Sequence, residues 1–65
     1  MVDFERIRKL RERAGLSKSR MAQKAGFATT QQWHAIEVGR RPDLRISTID
    51  RIAAALGVKA RDLLK

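Results

Sequence analysis

The chain has 65 residues, a length that allows one domain. On folding, a chain this short buries only about 60% of the surface that its unfolded form exposes. Fifteen lysines and arginines against seven acidic residues give a net charge of +8, which favours a polyanionic partner. The chain contains no cysteine and one histidine, so disulfides and metal clusters are not expected. No apolar run approaches the roughly 20 residues of a membrane span, and no signal peptide is evident. A cytoplasmic protein without membrane contact is therefore predicted.

Apolar residues at helical spacing predict a first helix that begins after Asp3 and ends at Gly15. A second helix of eight or nine residues at most begins after Ser17 and ends at Gly26. In the first helix, the residues at helical spacing are Phe4, Ile7, Leu10, Arg11 and Ala14. The buried positions predicted for the second helix are Met21, Ala22 and Ala25.

A third helix is predicted after Thr29, because Thr29 and Gln32 have the spacing of a capping box. Its inward face carries Trp33, Ile36 and Glu37, and Gly39 ends it. Trp33 is interpreted as a core residue rather than as a platform on which a base stacks.

Residues 40–46 are predicted to form a loop, since Pro42 cannot sit inside a helix. Ser47 and Asp50 repeat the capping-box spacing and predict a fourth helix that ends at Gly57. A fifth short helix covers residues 60–64, and strand alternation is absent. The sequence therefore predicts an all-α fold of five helices.

Four blocks of residues follow one another along the chain: Ile7-Arg8-x-Leu10-Arg11-x-x-x-Gly15-Leu16-Ser17, Met21-Ala22-x-x-x-Gly26, Trp33-x-x-Ile36-Glu37-x-Gly39 and Ile52-Ala53-x-x-Leu56-Gly57-Val58. In this order they resemble the lambdoid phage repressor and Cro type of helix-turn-helix regulator, an XRE-like family. The resemblance implies a compact, lambda-repressor-like DNA-binding domain over residues 1–65, with the helix-turn-helix at helices two and three. The interval from Gly26 to Glu37 is one residue longer than the family pattern, so the turn is predicted to be longer.

The start of the third helix is the predicted base-reading surface. If Trp33 points inward, a rotation of about 100° per residue places Gln31 nearly opposite it. A glutamine amide matches N6 and N7 of adenine in the major groove. The alternative is that these are ordinary polar residues at a helix start, and His34 could equally contact phosphate or only solvent. The predicted base-reading residues are Thr30, Gln31, His34 and Ala35.

Helix N-termini and the arginines after the third helix are predicted to bind DNA phosphates. The alternative for each arginine is a solvated surface charge, which is favoured for Arg6, Arg13 and Arg61. The predicted phosphate-binding residues are Lys18, Thr29, Gln32, Arg40, Arg41 and Arg45.

The resemblance implies two further features. One is a partly buried ion pair between Arg11 and Glu37, for which two exposed charges are the alternative. The other is a homodimer, because the few base contacts of a monomer rarely give regulatory affinity and family members pair their reading helices. The predicted dimer contact comprises Val58, Ala60, Leu63 and Leu64.

Together these features favour a sequence-specific regulator of transcription that binds double-stranded DNA, a bacterial or phage repressor or autoregulating controller. No catalytic motif, cofactor or small-molecule site is evident, so an enzyme is not expected. Two alternatives remain. An antitoxin-like protein-interaction module would expose an apolar patch at Val58, Leu63 and Leu64, and a nonspecific nucleic-acid binder would be driven by charge alone.

Overall fold

A computed structural model describes residues 1–41 and 43–65 of the chain. Within these ranges, four α-helices precede one 3-10 helix. The elements are α1 (Phe4–Arg13), α2 (Lys18–Lys24), α3 (Thr30–Glu37), α4 (Ile46–Leu56) and the 3-10 helix (Ala60–Leu63). The all-helical class is thus found, whereas the predicted fifth helix is a single four-residue 3-10 turn. Over the described ranges, no helix is long and apolar enough to cross a membrane.

Side-chain caps fix where α1, α2 and α3 begin. Asp3, Ser17 and Thr29 each accept a hydrogen bond from the backbone N–H three residues further on. These bonds satisfy amides that the first turn of a helix leaves free. In α3, the side-chain oxygen of Gln32 accepts from the N–H of Ala28 instead of that of Thr29. The reciprocal half of the predicted capping box is therefore displaced by one residue.

Helix α4 begins earlier than the sequence predicted. Its N-cap is Arg45, which makes no side-chain capping bond to the described residues. The predicted capping box of Ser47 and Asp50 is wrong, because the carbonyl of Arg45 already accepts the first helical hydrogen bond. Ile46 consequently belongs to α4 rather than to the loop, and it is 77% exposed. Pro42, which suggested that loop, lies outside the described residues.

The turn between α2 and α3 is held by a residue from α4. Gly26 adopts a φ of 81°, in the left-handed region that favours glycine, and the N–H of Phe27 bonds to a carbonyl one turn back in α2. The guanidinium of Arg51 donates to the carbonyl oxygens of Ala25 and Gly26 at 2.9 and 3.0 Å. The same group lies 4.8 Å from the ring centroid of Phe27, a cation–π distance.

One hydrophobic core joins all five elements. Its largest fully buried side chains are Trp33, Ile7, Met21, Ile36, Ile52 and Leu63. Trp33 is therefore a core residue, as predicted. Leu63 has no exposed surface for the predicted dimer contact, because the 3-10 helix packs on both α1 and α4 and directs it inward.

The two ends of the chain are joined to each other. Val2 and Leu64 form an isolated antiparallel bridge, and Nε of Arg6 donates to the carbonyl oxygen of Asp62 at 2.8 Å. Arg6 is exposed, but it is more than the solvated charge favoured from the sequence, since it attaches the 3-10 helix to α1.

Candidate nucleic-acid interface

Helix α3 buries one side and leaves its first turn open. Trp33 is completely buried, whereas Thr30 and Gln31 are exposed. His34 and Ala35 are half-buried and lie at the borders of the open side. Of the four residues predicted to read bases, two are thus freely accessible and two lie at the edge of that surface.

Phe27, in the turn that precedes α3, packs against the hydrophobic core. The Phe27 ring is half-buried, and its centroid lies 5.9 Å from that of Trp33. With Phe27 packed in this way, Thr29 still caps α3, and Ile36 and Glu37 still point inward. The polar start of α3 is therefore not rotated toward the core, although the turn before it is predicted to be longer than in the family.

A buried ion pair lies beneath α3. Nε of Arg11 donates to Oε1 of Glu37 at 2.9 Å, and both residues are more than nine-tenths buried. A second nitrogen of Arg11 donates to the carbonyl oxygen of Leu16 at 2.6 Å. The other carboxylate oxygen of Glu37 is buried without a partner among the described residues. The pair joins α3 to α1, so it helps to fix how α3 is presented.

The first turn of α2 touches α3 through a polar contact. Nζ of Lys18 lies 3.0 Å from Nδ1 of His34. The sequence placed Lys18 on phosphate and His34 beside the bases, but it gave no sign that the two side chains meet, because they are 16 residues apart.

The remaining predicted phosphate contacts fall into two groups. Arg40, Arg41 and Arg45 are exposed, and within the described ranges none of them pairs with a carboxylate at salt-bridge distance. Thr29 and Gln32 use side-chain oxygens to cap α3, which leaves the hydroxyl hydrogen of Thr29 and the amide N–H groups of Gln32 as donors.

An open groove of about 580 Å³ lies between the turn that precedes α3 and the segment that precedes α4. Arg41, Arg45 and Arg51 contribute to its walls, with Asp43 as the acidic member. The sequence did not indicate a role for Arg51, which looks there like an ordinary surface arginine. No local pattern marks it, since its partners Ala25 and Gly26 lie about 25 residues earlier.

The capped α2 and α3, the glycine turn between them and the polar start of α3 define a helix-turn-helix domain. A family model described as a helix-turn-helix domain matches residues 5–65, and the chain belongs to this XRE/Cro-like family. Neither the curated proteins nor the solved structures gave a match. The family indicates DNA as the partner and a role in regulating transcription, and its members are typically not enzymes.

Proposed function

We propose that this protein is a sequence-specific regulator of transcription that reads the major groove of double-stranded DNA with the start of α3. It acts in the cytoplasm as a repressor or autoregulating controller, and residues 1–65 work as one domain. The observation that carries this proposal is that Thr30 and Gln31 are exposed in the first turn of α3, while the opposite side of this helix is buried in the core. Uncharged groups that both donate and accept hydrogen bonds are suited to base edges.

The cations proposed to bind phosphate precede and follow α3 along the chain. Lys18 belongs to the first turn of α2, and Arg40, Arg41 and Arg45 follow α3. Contacts from these groups to phosphates would set the position of α3 on the duplex without carrying sequence information. The net charge of +8 supports the same partner.

Selection of bound sequences from a random DNA pool tests the proposal. We expect a defined consensus, because uncharged reading residues discriminate between bases. A pool that is retained by the protein but never enriched would show the nonspecific, charge-driven binder instead. Leu63 is completely buried and Val58 is half-buried, so Leu64 is the exposed residue of the apolar patch that both the protein-interaction alternative and a homodimer would use.

Arg41 should contribute to the salt dependence of binding. If a dimer neutralises about six phosphates, log affinity falls with log salt with a slope of about −5. Arg41→Ala should flatten that slope by about one to two units and leave the selected consensus unchanged. Arg13→Ala removes the same charge from the exposed end of α1 and is the matched control. An unchanged slope for Arg41→Ala would place this arginine away from the DNA backbone.

We propose that the protein binds DNA as a homodimer. The contact between the two copies is centred on Leu64, which is 43% exposed, with Val58 and Ala60 at its border. Sedimentation at high protein concentration should show a dimer, and the footprint should contain two half-sites about 34 Å apart. Leu64→Asp should yield monomers with weaker binding and an unchanged base preference. A wild-type protein that stays monomeric and protects one half-site would contradict the dimer.

A further inference from the structure

We infer that Lys18 donates a hydrogen bond to Nδ1 of His34 and thereby keeps the proton of His34 on Nε2, where it can be donated to DNA. Lys18 so helps to set base preference. This inference rests on the proposed function. The contact between Nζ of Lys18 and Nδ1 of His34 is 3.0 Å long. An ammonium group has three donors and no acceptor. Nδ1 must therefore accept, and the proton of the neutral imidazole resides on Nε2.

His34 is placed where such a donor can meet a base. It lies three residues after Gln31 and four after Thr30, so the three side chains are neighbours on one face of α3. His34 is half-buried, and among the described residues its ring makes no hydrogen bond other than that to Lys18. The Nε2–H group is thus left as the donor available to a ligand at this border of the reading surface.

A group that donates and cannot accept distinguishes the bases. In the major groove, N7 of the purines, O6 of guanine and O4 of thymine accept hydrogen bonds, whereas cytosine presents only its N4 donor. His34 with its proton on Nε2 therefore disfavours cytosine on the strand that it faces. Gln31 has no such restriction, because an amide both donates and accepts.

Lys18 acts in this scheme as a positioning residue. Only one of its three N–H groups is needed by His34, and the other two remain for phosphate oxygens. Lys18 can therefore contact a DNA phosphate and at the same time fix which nitrogen of the His34 ring carries the proton. In this respect Lys18 differs from Arg40, Arg41 and Arg45, for which only a contribution to affinity is proposed.

The first test needs no DNA. Nitrogen-15 spectra of the His34 ring, recorded at a pH at which the imidazole is neutral, should show the tautomer with the proton on Nε2. Lys18→Met retains the apolar stem but not the donor, and it should raise the population with the proton on Nδ1. Lys24→Met, at the exposed end of the same helix, should leave the tautomers unchanged. An identical tautomer distribution in the wild type and Lys18→Met would overturn the inference.

The second test repeats the DNA selection with the variants. Lys18→Met should relax the preference against cytosine at one position per bound chain by roughly five- to tenfold, in addition to lowering affinity overall. His34→Ala should relax the same position, and the double variant should relax it no further. If Lys18→Met weakens all sequences equally, Lys18 is a phosphate contact alone and the inference fails. If the wild type selects no sequence, the proposed function fails, while the spectra still decide the tautomer.

Discussion

Replacement of Arg11 or of Glu37 by alanine should each lower the free energy of unfolding by about 3 kcal/mol. Both residues are more than nine-tenths buried, and Nε of Arg11 donates to Oε1 of Glu37 at 2.9 Å. Either single change leaves one charge buried without its partner, which is the costly case for an internal ion pair. Urea unfolding of the purified variants measures the effect.

The double variant should cost clearly less than the sum of the two single changes. Removing both partners leaves no buried charge, so the two substitutions are coupled. Strictly additive losses of under about 0.5 kcal/mol each would mean that the pair contributes nothing. Because a domain of this size has only a few kcal/mol to lose, Glu37→Gln, which keeps the shape and one acceptor, provides a milder version of the same measurement.

An exposed pair on α1 offers the matched control. Glu5 and Lys9 approach to 3.6 Å across one helical turn, and both side chains are 67% exposed. Alanine at either position should change the free energy of unfolding by no more than about 0.5 kcal/mol. The two ion pairs are thus expected to differ in their effect on the free energy of unfolding because one is buried and the other is exposed.

Gln31→Ala should reduce affinity for the selected DNA site by about 1 to 3 kcal/mol per half-site and relax preference at one base pair. Affinity for random DNA should change little, because the substitution removes no charge. Gln31 is exposed in the first turn of α3, on the side opposite the buried Trp33. Binding measured in parallel on the selected site and on random duplexes separates the two effects.

Two other glutamines serve as comparisons for Gln31. Gln23 is exposed on α2, and Gln23→Ala should leave the consensus unchanged. Gln32 already uses its side-chain oxygen on the N–H of Ala28. If Gln31→Ala leaves the consensus untouched while Gln32→Ala or Thr29→Ala alters it, the reading register is displaced by one residue.

Local patterns in the sequence were sufficient to predict much of the fold. Asp3, Ser17 and Thr29 cap the helices predicted to follow them, because a cap depends on a backbone N–H only three residues away. Helical spacing likewise predicted that Trp33 and Ile36 are buried, since a residue's face on a helix follows from its position in the chain.

The same local reasoning failed at the start of α4 and at the C-terminus. Ser47 and Asp50 have capping-box spacing, yet the helix begins one residue before Ser47. The two leucines at positions 63 and 64 look alike in the sequence, but Leu63 is fully buried and Leu64 is 43% exposed. Packing of the 3-10 helix on α1 and α4 makes that distinction, and adjacent residues alone do not encode it.

The sequence by itself determined the helical class, the order of the first three helices, the polar start of α3 and the cationic surface. The tertiary structure alone decided which side chains meet. Arg51 covers the end of α2, and Lys18 contacts His34, across 25 and 16 residues of chain. The reason is physical: helix starts and helix faces are set by neighbours within one or two turns, whereas these contacts depend on how whole helices pack.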